Sequence, residues 1–199
     1  MKKIVGEAFF ELEAKKSSFL GFLFPWEHFA EKLQELKNTH LKAVHFVYAY
    51  RVYDSGRVEE AFSDDGEPRG SSGMPVLNVL RGRDLVDSAA IVVRYFGGTL
   101  LGVGGLVRAY TQSIVECVKI AESKNLLQDF VQECQREFFC SYALLSRVEY
   151  LAKILELELQ KDRFCDAGVV LHIRGREGSV EEFAAQVEQM RFVNKPSQG

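Results

Sequence analysis

The sequence predicts an α+β protein of two domains, on three observations. An apolar β-branched run, Ala90-Ile91-Val92-Val93, breaks into Gly97, Gly98, Gly102, Gly104 and Gly105 and then into a long helical pattern ending near Ala121. Before it, period-two segments alternate with segments of helical spacing. After it, polarity rises at Glu122-Ser123-Lys124-Asn125, and a second set of elements opens near Cys134. The expected division is a first domain over 1–125, a linker over 126–134 and a second domain over 135–199.

Ala8, Phe10 and Leu12 alternate with Glu7, Glu11 and Glu13, which reads as a first strand with Phe9 out of phase. Lys15-Lys16-Ser17 turns the chain into the more apolar strand Phe19–Phe24, a hairpin. Pro25 suits a helix start, and Phe29, Leu33, Leu36 and His40 follow at helical spacing. From His45 the period returns to two, with Phe46, Tyr48, Tyr50 and Val52 on one face and His45, Val47, Ala49 and Arg51 on the other. A turn at Asp54-Ser55-Gly56 leads back through Val58 to Phe62. Pro75–Leu80 is a short helical stretch, and the long helix places Val107, Tyr110, Ile114, Val118 and Ala121 opposite Arg108, Gln112, Glu116 and Lys119. The second domain reads as βαββα: a strand over 135–142, a helix over 144–155, strands over 157–164 and 167–173, and a helix over 180–190. A last strand at Arg191-Phe192-Val193 would complete a ferredoxin-like βαββαβ.

With 199 residues, 47% hydrophobic and 27% charged, the composition is that of an ordinary globular protein. Charge returns too early after Met1 for a signal-peptide core, and no apolar run approaches the roughly 18 residues of a membrane span. A cytoplasmic protein without membrane contact is the expectation. Cys117, Cys134, Cys140 and Cys165 form no CxxC pair, and no histidine completes a zinc spacing with them. Cys117 reads as a core filler. The net charge of −3 argues against bulk coating of nucleic acid. The charges balance up to Asn125, however, so a local basic face on the first domain stays open.

Helix starts carry free N–H groups and partial positive charge, so the glycine loop before the long helix is suited to an anion; tight-loop packing is the alternative role for its glycines. The loop lacks a P-loop ending, and Val107 stands where a dinucleotide fingerprint needs its last glycine. Gly70-Ser71-Ser72-Gly73 supplies a second small-residue helix start. The two starts are expected to converge with Arg69, Arg94 or Arg108 in one phosphate cleft. Asp64, Asp65 and Glu67 read either as turn residues or as Mg²⁺ ligands. If they point into that cleft, their charge excludes a bare anion. Gly104 is expected to resist β-branched substitution, far more than Cys117 resists serine, on the premise of a positive φ.

Four ordered stretches resemble the IMPACT/YigZ family: Lys15-Lys16-Ser17-Ser18-Phe19; His45 with Tyr48-Ala49-Tyr50-Arg51; Asp64 through Pro75; and Val92 through Tyr110. Leu100, where many relatives have lysine, and Phe46-Val47, where Asn-Cys is common, depart from the pattern. The resemblance implies an N-terminal α/β domain like domain IV of elongation factor G and a ferredoxin-like domain like its domain V. It also implies a translation-linked binding protein whose partner is RNA, the ribosome or a translation-regulatory protein. For such contacts the candidate residues are Lys15, Lys16, His45, Arg51, Arg69, Ser71, Ser72, Arg94, Gly97, Gly98, Gly102, Gly104, Gly105 and Arg108. Tyr48, Tyr50, Tyr95 and Phe96 add stacking surfaces, with core packing as the alternative, above all for Phe96. The competing reading is an enzyme on a small phosphorylated substrate, with Mg²⁺ on Asp64, Asp65 and Glu67 and His45 as the candidate base; no catalytic constellation is assigned. Outside that reading no cofactor is expected.

Overall fold

The computed structural model describes residues 1–54 and 56–193; Ser55, in the expected Asp54-Ser55-Gly56 turn, lies outside them. The chain divides into two compact units, Met1–Phe130 and Val131–Gly199.

In the first unit β1 (Lys2–Ile4), β2 (Ala8–Ala14), β3 (Ser17–Pro25), α1 (Phe29–Thr39), β4 (His45–Asp54), β5 (Arg57–Ser63), α2 (Gly73–Gly82), β6 (Ser88–Tyr95), α3 (Val103–Ser123) and β7 (Leu127–Asp129) follow one another. Five strands form an antiparallel sheet in the order β2-β3-β6-β4-β5. The apolar run of β6 has a physical cause: the strand is central and both its faces are covered. Ala90 and Val92 join Phe19, Leu23, Val47 and Ala49 beneath α2 and α3, which bury Val76, Leu77, Leu80, Leu106, Tyr110 and Ile114. Ala89, Ile91 and Val93 join Phe22 and Phe24 beneath α1, which contributes Leu36 with Phe29 and Leu33 at the margin.

The edge strand β2 is half wet, so it alternates, with Ala8, Phe10, Leu12 and Ala14 turned to the core. Phe9 lies on its other face, 5.0 Å from the Phe22 ring. Pro25 opens a 3₁₀ turn, Trp26–His28, that runs into α1. On α3 the inward residue of the first turn is Leu106, fully inside, and Val107 is only half-buried.

Two expectations need correction. The stretch 126–134 is not a free linker, because Leu127–Asp129 pairs with Lys2–Ile4 and Leu126 and Leu127 pack on the core. In the second unit β8 (Glu133–Ser141), α4 (Tyr142–Ile154), β9 (Glu158–Cys165), β10 (Gly168–Arg176) and α5 (Glu177–Val193) form a three-stranded sheet, order β8-β10-β9, with its own core of Leu144, Val148, Leu151, Val169, Leu171, Ile173, Val180 and Phe183. This is the βαββα part of the ferredoxin-like plan, but Arg191–Val193 is the end of α5 and not a closing strand. No glycine or proline interrupts the helical pattern between Gly178 and Pro196, so nothing stops the helix there. Among the described residues no helix is long and apolar enough to cross a membrane.

Candidate functional site: two helix starts and a buried polar cluster

The acidic turn is built around Asp64. Its Oδ2 accepts from Gly70 N–H at 2.8 Å, and its Oδ1 accepts from Ser72 Oγ at 2.7 Å, Gly73 N–H at 2.8 Å and Ser72 N–H at 3.2 Å. Burial acts to raise the Asp64 pKa, but these donors together outweigh it and hold the carboxyl below its ordinary value. The start of α2 is therefore sealed from within the chain. Ser72 is bound to Asp64, and buried Ser71 donates its hydroxyl to Pro68 O at 2.6 Å, so neither is free for an outside anion. A Cβ on Gly73 would stand 2.6 Å from Ser63 O, which explains why the turn ends in glycine.

The other two acids are also occupied. Asp65 Oδ2 accepts from Phe46 N–H at 2.6 Å, and the Asp65 carbonyl accepts from His45 Nδ1 at 2.7 Å. Glu67 is buried: its Oε1 accepts from Arg94 Nη1 at 2.5 Å and from Tyr110 Oη at 2.7 Å, and its Oε2 lies 3.9 Å from His45 Nε2. Burial, then the bond to Glu67, pushes the Tyr110 phenol pKa well above its ordinary value, so it stays a donor. The expected Mg²⁺ ligand set of Asp64, Asp65 and Glu67 is thus not assembled. Each carboxylate serves a different partner, and among the described residues no group of three or more His, Cys, Asp or Glu side chains could hold a metal ion.

The start of α3 is the opposite case. Gly102 caps it with φ 73°, among the described residues no side chain bonds to the cap, and no acidic residue stands in the first turn. Glycine is required at Gly98 and Gly102, whose φ values are 79° and 73°. At Gly97 it is required for space, since a Cβ would sit 1.9 Å from Lys16 O. Gly104 has no positive φ and open space around its Cβ position, so the expected intolerance there does not follow. Cβ of Gly105 would meet Leu101 Cβ at 2.9 Å. A pocket of about 430 Å³ opens here, lined by His45, Glu67, Arg94, Phe96, Gly102 and Val103 among aliphatic neighbours.

Of the remaining candidates, Lys15 and Lys16 form the β2–β3 turn with φ of 47° and 67°, which suits a two-residue hairpin turn of primed type. Both are exposed, as are Arg108 and Arg69. Lys15 and Arg108 line a neighbouring groove with Leu12, Leu101 and Gly105. Arg51 is used internally: its Nε donates to Glu60 at 2.8 Å and its Nη1 to Leu85 O at 2.8 Å. Tyr48 and Tyr50 pack under α1 against Phe29 and Trp26, and Tyr95 bonds His40, whereas Phe96 is 48% exposed. Sequence reading missed Tyr110 as a polar member of the cluster. Its place on the apolar face of α3 signals burial, and a buried phenol needs a partner.

Known proteins place this arrangement. The family model of the Impact N-terminal domain matches residues 15–118, just over half of the chain. The chain belongs to the IMPACT family. An IMPACT family member from Haemophilus influenzae is 34% identical over 186 residues, covering 90% of this chain and 87% of that one. The Escherichia coli IMPACT family member YigZ is 35% identical over 133 residues, 63% of this chain and 59% of its own. The crystal structure of a hypothetical protein matches 95% of this chain and 91% of its own with a TM-score of 0.64 at 29% identity. The matched segment contains the acidic turn, both helix starts and the Glu67–Arg94–Tyr110 cluster of this IMPACT-family chain.

Proposed function

We propose that this IMPACT-family protein is a cytoplasmic, translation-linked binding protein whose first unit contacts RNA, either free or in the ribosome. The observation that carries the reading is the open start of α3, with exposed Lys15 and Arg108 on the groove beside it and exposed Lys16 against Gly97 of the glycine loop. Among the described residues these three cations have no carboxylate partner, unlike Arg51, Arg81 and Arg94. Unpaired cations beside free N–H groups suit phosphate backbone contact, and the even charge balance of the first unit permits it locally.

The full chain is tested for retention of single-stranded RNA and for co-sedimentation with ribosomes, with and without ribonuclease. Three phosphate contacts give a log–log salt slope of about −2, so affinity falls roughly tenfold to twentyfold between 50 and 200 mM salt. Replacing Lys15, Lys16 and Arg108 by glutamine flattens that slope. RNA binding that is indifferent to salt and to these changes refutes the reading.

A second reading, an enzyme on a small phosphorylated substrate, is favoured by one observation. His45 donates through Nδ1 to the Asp65 carbonyl, which fixes the ring and leaves Nε2 toward Glu67 at the pocket. A thermal shift by a nucleotide that requires Mg²⁺ would support it over the first.

A further inference from the structure

We propose that the pocket at the start of α3 binds a singly charged phosphodiester bearing a flat, apolar flanking group, held by the N–H groups of Val103 and Gly104 and by Arg94 Nε. This deepens the RNA reading above, on which the choice of a phosphodiester rests.

Two independent features meet in this pocket. The first intrahelical bonds of α3 run from Gly105 and Leu106 to Gly102 O, so the N–H groups of Val103 and Gly104 precede them with no side-chain cap. Such a helix of 21 residues carries about half an elementary positive charge at its start. The second feature is Arg94, only 5% exposed, which lines the same pocket. Its Nη1 is bound to Glu67, yet among the described residues its Nε is the buried side-chain donor that lacks a hydrogen-bond partner. A buried guanidinium N–H without an acceptor is costly, and an acceptor entering the pocket would remove that cost.

Charge decides the ligand class. Glu67 lines the pocket too and already cancels Arg94, so the site offers little more than the partial charge of the helix. That suits one negative charge better than the two of a phosphate monoester. Val44, Pro68, Leu100, Leu101 and Leu106 supply apolar wall for the group beside the phosphate. The Phe96 ring, half-exposed and 5.7 Å from the guanidinium, adds an aromatic face to the same wall for the flat group to stack on.

The test uses the full chain, NMR, and two probes: the dinucleoside monophosphate UpU and a single-stranded RNA octamer. Both are expected to move the amides of Val103 and Gly104 and the Nε–H signal of Arg94. Val103, 59% exposed, is the position to vary. Val103→Asp puts a carboxylate into the first turn and should weaken both probes at least tenfold without lowering Tm, while the same charge added on the other face of the sheet, at exposed Asn38 of α1 as Asn38→Asp, leaves binding within twofold of the parent. Shifts with UpU but none with the octamer keep the site, assign it to a small free phosphodiester and overturn the RNA reading. Octamer binding that leaves all three signals still overturns the site and leaves the RNA reading to another surface. If neither probe moves the signals, or if Val103→Asp binds as the parent does, the site is overturned.

Discussion

The starts of α2 and α3 lie on the same side of the five-stranded sheet, and both follow runs of glycine and small residues, yet they are finished in opposite ways. Asp64 reaches across eight and nine residues to seal α2, giving both carboxylate oxygens to Gly70, Ser72 and Gly73. Among the described residues no side chain does this for α3. A small-residue run before a helix is therefore not in itself an anion site: what matters is whether the chain brings its own carboxylate to the N–H groups. At α2 an outside phosphate would have to displace a bound aspartate, whereas at α3 the equivalent place is a pocket.

The largest expected effect comes from the cluster behind the open start. Arg94→Met leaves Glu67 buried without its cation and should cost about 3–5 kcal/mol in urea unfolding. Adding Glu67→Met should recover about half, because Tyr110 still loses its acceptor. A single change costing under about 1 kcal/mol would mean that the pair is not buried as described. Next comes the seal itself. Asp64→Ala strands several donors at once and should cost about 2–3 kcal/mol, against no more than about 0.5 kcal/mol for Val103→Ala at the open start. Equal losses at the two positions would remove the contrast.

The same seal makes a pH prediction. Asp64 has a folded pKa below its unfolded one, so it contributes stability that is fully present above the unfolded value, near 4, and lost as pH falls through the folded value. Acid melts of the parent should fall more steeply below pH ~4 than those of Asp64→Ala; parallel curves would assign the loss to other carboxylates.

Much of the fold was legible because its signals are local. Alternation on β2 and β4, the doubly covered run of β6 and the stripe of α3 each reflect burial that the pattern records directly. What was not legible depends on partners distant in sequence. Nothing in Leu127-Gln128-Asp129 announces a strand, because its partner is Lys2–Ile4 at the other end of the unit. The candidate site divides in the same way. Its stretches were visible as glycine, serine and acidic runs, but which acid meets which donor is set by the turn between β5 and α2. Asp64 and Glu67, three residues apart, go to a helix cap and to a buried arginine, and no spacing rule separates them.

The smallest expected effect probes the open start most directly. Gly104 lies in the first turn of α3 with helical backbone, and the nearest atom to its absent Cβ is Arg108 Nη1 at 3.9 Å. Glycine there contributes no positive φ and no close approach, so its main consequence is extra freedom in the unfolded chain. Gly104→Ala should then raise stability by about 0.5–1 kcal/mol, read as a higher urea midpoint at unchanged slope. The sign is what sharpens the comparison. At Gly73 the same methyl would press on Ser63 O at 2.6 Å, so Gly73→Ala must lower stability, because the sealed start has the chain packed against it. If Gly104→Ala also lowers stability, the start of α3 is as enclosed as that of α2, and the contrast between the two starts is lost.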